Sequence, residues 1–188
     1  NFSPDVVINN AGFGKHGHTL DIPVSEHVNM VDLNVRALTE ITLLMLPAML
    51  QRKRGGIINV ASLASFMTGP HMPVYHASKA YVLSFTEALA TEYAGTGVTI
   101  TALCPGYVKT GFQARADMEN MRVLKLAPKL SAAEVTEITW EGFKRGEQII
   151  IPGWPNKAAA IATRFVPRQL VAKMTGRVYR PSKGKVNS

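Results

Sequence analysis

Four short, largely apolar, β-branched runs punctuate the chain at long intervals: Asp5-Val-Val-Ile-Asn9, Ile57-Ile-Asn-Val-Ala61, Val98-Thr-Ile-Thr-Ala-Leu103 and Gln148-Ile-Ile-Ile151. Each is too short for a helix and reads as a strand buried on both faces. The segments between them carry helical periodicity and are long enough to cross back to the starting end of a sheet. Strands joined by such crossovers run parallel. The reading is an α/β fold with a doubly wound parallel sheet (Rossmann-like). A chain of 188 residues that is 46% hydrophobic and 18% charged can fill one core of this kind.

Local signals divide the chain further. A strand over 5–9 ends in Asn-Ala-Gly, and 11–24 is a glycine-rich loop closed by Pro23. Ser25 with Glu26 opens a long helix whose apolar positions include Val28, Val31, Val35, Leu38, Met45 and Met49. Pro47 is expected to kink it, Arg52-Lys53-Arg54 to fill its last turn and Gly55-Gly56 to end it. A second helix is expected over 73–93. Residues 110–129 read as irregular, and Ser131-Ala-Ala-Glu134 is a capping-box pattern opening a helix to about Arg145. Beyond the last strand the chain reads as helical to about Met174, then as a Lys/Arg/Ser/Gly tail. Both long helices are apolar around much of their circumference, which predicts a homo-oligomer packed through them.

Charge is distributed unevenly. Residues 1–147 hold 13 basic and 13 acidic residues, while 148–188 hold 8 basic residues and no acid. The basic segment reads first as a solvated terminus; acidic lipid, nucleic acid or an acidic partner are the alternatives. Nucleic acid is not expected as a partner, and peripheral membrane contact by the tail ranks below simple solvation. The single cysteine, Cys104, cannot form an internal disulfide and reads as a small buried hydrophobe. Together with no run of 18 uninterrupted apolar residues and no recognisable signal peptide, this gives a cytoplasmic expectation. His16 and His18 have metal-pair spacing but lack carboxylate or cysteine company, so no metal is expected.

In open α/β sheets, ligands bind beyond the carboxyl ends of the strands. Three of these ends are chemically unusual: Asn9-Asn10-Ala11-Gly12, Ala61-Ser62 and Pro105-Gly106. Tyr75 and Lys79, four apart, share one helix face. Tyr75 falls in the first turn after Pro73, where the helix dipole and the Lys79 ammonium are expected to lower the phenol's pKa from ~10. Phe66, Tyr107, Phe112, Met118 and Met121 are expected around the substrate mouth, and His76 is given no role.

Asn9-Asn-Ala-Gly12, Asn34 in Leu33-Asn34-Val35, Ser62 thirteen positions before Tyr75, Tyr75-x-x-x-Lys79 and Pro105-Gly106 together resemble the short-chain dehydrogenases/reductases. The likeness runs over residues 4 to 153, and the Pro-Gly-Trp-Pro-Asn stretch resembles the bacterial branch called DltE-like. The resemblance implies an oxidoreductase that moves a hydride between a nicotinamide and a carbonyl or alcohol carbon. It implies Tyr75 as general acid/base, Lys79 lowering its pKa and holding the ribose, Ser62 on the substrate oxygen, and Asn34 holding a relay water. It implies cofactor contacts from Asn10, Ala11, Gly12, Tyr75, Lys79, Pro105, Gly106, Val108 and Thr110.

The family pattern begins with Thr-Gly-x-x-x-Gly-x-Gly, and the chain contains no such segment. The expectation is therefore an N-terminally truncated sheet: residues 1–153 as the C-terminal two-thirds of an NAD(P)-binding domain, and 154–188 as a basic helical extension. Cofactor choice is NAD(P) with NADP(H) placed first, although the selecting residue belongs to the unmatched part of the pattern. The expected substrate is a small carbonyl or alcohol compound, apolar in character. Two other classes stay open: a non-catalytic fragment serving as a binding or interaction module, and an epimerase or dehydratase using the same Tyr-x-x-x-Lys pair.

Overall fold

A computed structural model describes residues 4–118 and 130–180. The expected strands form at β1 (Val6–Asn9), β2 (Gly55–Val60), β3 (Val98–Leu103) and β4 (Ile149–Ile150). All pair in parallel, in the order β1-β2-β3-β4. A parallel sheet in sequence order requires each crossover to carry a helix. These are α1 (Val24–Gln51), α2 (Pro73–Glu92), the one-turn α3 (Phe112–Arg115) and α4 (Ala132–Lys144), with α5 (Trp154–Ala162) and α6 (Arg168–Val178) following β4.

Helices cover both faces, as a doubly wound sheet demands. Strand alternation sends Ile57 and Ile100 to one face, against Leu46 and Met49 of α1 and Leu89 and Ala90 of α2. The neighbouring Ile58 and Leu103 point to the other face, against Val135 and Phe143 of α4. Cys104 is fully buried beside Leu38, Val82 and Ala102. α1 is long and apolar enough to cross a membrane by length and composition alone. Its buried positions, Met30, Asn34, Leu38, Thr42, Leu46 and Met49, recur at helical spacing and seat one face on the core, while Val28, Val31, Ile41, Leu43 and Leu44 are exposed.

Several local expectations are corrected. The residue preceding α1 is Pro23, with no side-chain cap, so Ser25 lies inside the helix. Pro47 lies within continuous helix, and the irregularity falls earlier, in a π-helical segment at Asp32–Ala37. The helix ends at Gln51; Lys53 then takes a left-handed φ of 51° and turns the chain. Gly55 and Gly56 belong to β2, pairing with Val98 and Thr99. The Ser131–Glu134 capping box forms as expected. The C-terminal stretch is two helices broken before Pro167, not one.

Under the sheet's carboxyl edge lies a buried polar network that the strand pattern did not suggest. Asn9 Nδ2 donates to Asn59 Oδ1 at 2.8 Å and to Thr42 Oγ1 at 3.0 Å. Asn59 Nδ2 donates to Thr86 Oγ1 at 3.1 Å. The network ties β1, β2, α1 and α2 at one level. Asn59→Ala should leave Asn9 and Thr86 short of partners and cost at least ~2 kcal/mol. A urea unfolding midpoint within error of wild type would contradict this.

Candidate active site

The site gathers where β1, β2 and β3 end. After β1, Asn10 and Ala11 are exposed, and the chain folds back so that Gly12 and Phe13 lie over α1. A single side chain secures this return. The fully buried Asn34 accepts from Phe13 N at 3.1 Å and donates from Nδ2 to Phe13 O at 2.9 Å and Ser78 Oγ at 3.1 Å. Ser78 in turn donates to Tyr75 O at 2.8 Å. Asn34 sits in the π-helical turn, a local widening that often marks functional positions. A Cβ on Gly12 would come within 2.9 Å of Asn34 Oδ1 and 3.3 Å of Lys79 Nζ, so the backbone at Gly12 runs directly over both groups.

β2 delivers Ser62. Its backbone is extended, and its hydroxyl accepts from Ala64 N at 3.1 Å as the cap of a short 3₁₀ turn, Leu63–Phe66. Pro105, just past β3, accepts from Leu63 N at 2.8 Å and holds this loop to the next strand end. Ser65 donates to Lys79 O at 2.8 Å and ties the loop to α2. Pro73 at the first turn of α2 presets the helix start, and Tyr75 follows within that turn.

Lys79 is buried, and its Nζ donates to Val60 O at 2.7 Å. Burial lowers its pKa to about 8. Tyr75 is partly buried against Met72, Phe112, Met118 and Tyr179. Burial pushes its phenol up to about 12, with the Ser62 hydroxyl pulling the other way. This direction is opposite to the expected one. The Lys79 ammonium is turned to the Val60 carbonyl, and removal of the phenol from water dominates.

The other expected positions are distributed as follows. Gly106 packs against the side chain of Asn156, which a Cβ there would meet at 2.5 Å. Val108 is half-buried, pairs with Leu130, and its carbonyl accepts from Gln113 Nε2 at 2.8 Å. Thr110 is exposed, and its hydroxyl accepts from Phe112 N at 3.2 Å just ahead of α3. Phe112 and Met118 do pack beside Tyr75, with the Tyr75 and Phe112 rings 5.4 Å apart. Phe66 does not; it packs on the core cluster around Val82 and Ala102. Met121 lies outside the described residues. His16 and His18 gather around His71, with ring centroids 6.4 and 5.1 Å away.

Four contributors lie outside the expected set. Ser65 and Ser78 position the two functional residues of α2 through their carbonyls. Asn156, buried at the start of α5, donates to Pro152 O at 2.7 Å and backs Gly106. Tyr179, after α6, lies 5.5 Å from the His76 ring and is held by a 2.6 Å hydrogen bond between its carbonyl and His16 Nε2. Only the sequence motif Pro-Gly-Trp-Pro-Asn hinted at Asn156.

A parallel sheet flanked by helices, with a Tyr-Lys pair, a serine and an asparagine gathered at its carboxyl edge, defines a Rossmann-type α/β protein. The short chain dehydrogenase family profile matches residues 3–120, and the chain belongs to that family. A ketoacyl reductase, HetN, of Nostoc sp. is 42% identical over 104 residues, 55% of this chain and 36% of that protein. An uncharacterised oxidoreductase of Myxococcus xanthus is 28% identical over 166 residues, 88% of this chain and 63% of that protein. The fold matches a short-chain dehydrogenase from Sphingobium yanoikuyae in complex with NADPH at a TM-score of 0.75, with 24% identity, covering 98% of this chain and 68% of that one. The chain spans only part of the relatives it matches.

His76 is buried, and burial holds its imidazole below the ordinary value of ~6.5. The unfolded chain therefore takes up this proton first as pH falls. The stability is fully present above ~6.5 and is lost as pH drops through that value towards the lowered folded pKa. Tm measured from neutral to mildly acidic pH should fall in wild type and fall less steeply in His76→Gln. Parallel slopes in the two proteins would contradict the assignment.

Proposed function

We propose that the chain carries the catalytic part of an NAD(P)-dependent oxidoreductase acting on a carbonyl or alcohol carbon, and that it works chiefly as a carbonyl reductase. The observation that carries this reading is the juxtaposition of Tyr75, Ser62, Lys79 and Asn34 at one sheet edge. The donors there fit the nicotinamide–ribose end of a dinucleotide: a buried ammonium at Lys79 lies under the open backbone of Gly12, with Asn10 and Ala11 exposed beside it. No Thr-Gly-x-x-x-Gly-x-Gly segment for the pyrophosphate occurs in the chain. When bound, the nicotinamide supplies or accepts the hydride.

Each side chain then has a definite task. Ser62 donates a hydrogen bond to the substrate oxygen and stabilises the charge that grows on it. Tyr75 gives that oxygen its proton. An alkoxide is about as basic as hydroxide, whose conjugate acid has a pKa of ~16. Transfer from a phenol at about 12 is downhill, and the phenol stays protonated through the physiological range. Reduction begins with this protonated form, whereas oxidation needs the phenolate. Lys79 would hold the ribose hydroxyls and Thr110 and Val108 would bind the carboxamide, while Asn34 with Ser78 fixes the spacing of Lys79 and Tyr75. Met72, Met118 and Phe112 give the mouth an apolar wall, which suits an apolar carbonyl substrate. The exposed apolar positions on α1, among them Val28, Ile41 and Leu44, suit an interface with a second copy.

In the whole enzyme, Tyr75→Phe should lower kcat at least ~100-fold, the scale of a general acid, while cofactor affinity changes little. Steady-state kinetics retaining a tenth or more of wild-type kcat would remove Tyr75 from the role. In the reductive direction, kcat/KM for the cofactor should fall as pH rises past about 8, where Lys79 loses its charge, while the Tyr75 proton is retained. Lys79→Arg should shift that fall upward. A profile flat through this range would contradict Lys79 as the ribose ligand.

A further inference from the structure

The C-terminal helices present an apolar surface to solvent, and their seating fixes which side that is. On α5 and the turn after it, Trp154, Ala158, Ile161 and Phe165 recur at helical spacing on one stripe; Trp154 is 81% exposed and Phe165 82%. On α6, Leu170, Met174 and Val178 form a row four residues apart, each about half exposed. The opposite side of α6 is held down: Thr175 Oγ1 donates to Thr68 O at 2.6 Å, Gly176 faces Pro70, and Tyr179 reaches His76. The outward apolar row is therefore a consequence of how the helix is docked.

The segment that carries these helices is basic: Lys157, Arg164, Arg168, Lys173, Arg177 and Arg180 are all exposed, and residues 148–188 contain no acid. Among the described residues, none of the six forms an ion pair with a carboxylate. A second copy of the same surface would bring like charge against like charge. Nucleic acid would use the cations and leave the aliphatic rows without a partner. Cations flanking exposed Trp, Phe, Leu, Ile and Met match a bilayer surface with anionic headgroups.

We propose that the outer faces of α5 and α6 dock the protein on an anionic phospholipid bilayer. Basic side chains engage the headgroups, and Trp154, Phe165 and the Leu170–Met174–Val178 row enter the headgroup–acyl boundary. The inner side of α6 borders the Tyr75 pocket through Tyr179, so docking places the mouth beside the lipid; that consequence alone rests on the reductase reading above.

Vesicle flotation with the full chain tests the binding without reference to activity. Vesicles containing one-third phosphatidylglycerol should bind at least ~10-fold more strongly than pure phosphatidylcholine, and binding should weaken with salt. With Trp140 replaced by Phe, Trp154 emission should shift to the blue on binding. Trp154→Ser/Phe165→Ser should reduce partition ~10-fold or more with an unchanged circular dichroism spectrum, and Lys173→Glu/Arg177→Glu should remove the preference for phosphatidylglycerol. The proposal is overturned by equal binding to both vesicle types, by no binding to either, or by variants that bind like wild type. It is equally overturned if vesicles fail to bind while duplex DNA does, or while light scattering shows a dimer that the apolar substitutions dissociate.

Discussion

The carboxamide of Asn34 holds the site together. It closes on both the N–H and the carbonyl of Phe13 and reaches Ser78, so one buried side chain joins the exit of β1, the middle of α1 and the first turns of α2. A side-chain amide buried without these partners would cost several kcal/mol. With them, it sets how far Gly12 stands from Lys79 and how α2 is rotated. The π-helical turn at Asp32–Ala37 is the local price of pointing Asn34 at that junction.

Below this clamp the Asn9–Asn59–Thr42–Thr86 network fixes the sheet against the same two helices. Above it, Ser65 and Ser78 hold α2 by the carbonyls of Lys79 and Tyr75. Both functional side chains thus rise from a helix whose position is set by hydrogen bonds rather than by packing alone. Burial then acts on the two in opposite directions, making Tyr75 a reluctant acid and Lys79 a weaker cation. In the reduction proposed above, such a tyrosine would keep its proton until a strongly basic oxygen formed beside it.

The strands and the helical crossovers were legible because their signals are local: β-branched runs, the Ser131 capping box, and the fourfold spacing of Tyr75 and Lys79. Some failures are local, such as the helix start after Pro23 and the break before Pro167; the others come from long-range contact. Pro47 carries a strong local signal for a kink, yet the helix deforms at Asn34, where a contact with Phe13, 21 residues away, takes over. Gly55 and Gly56 read as a helix stop but are drawn into β2 by pairing with β3. Asn156 and Tyr179 reach the site from beyond β4, and no pattern near Gly106 or His76 announces them. The tyrosine pKa was misread because neighbouring charge is visible in a sequence and burial is not.

Amide hydrogen exchange at Phe13 in Asn34→Ala tests the clamp most directly. If Asn34 holds the β1 exit, exchange at Phe13 and its loop neighbours should accelerate by about tenfold or more, the scale of one lost buried hydrogen bond, while amides in β2 and β3 keep their wild-type protection. Unchanged exchange at Phe13 would show that the loop is held by something else and that Asn34 is not the interaction on which the site depends.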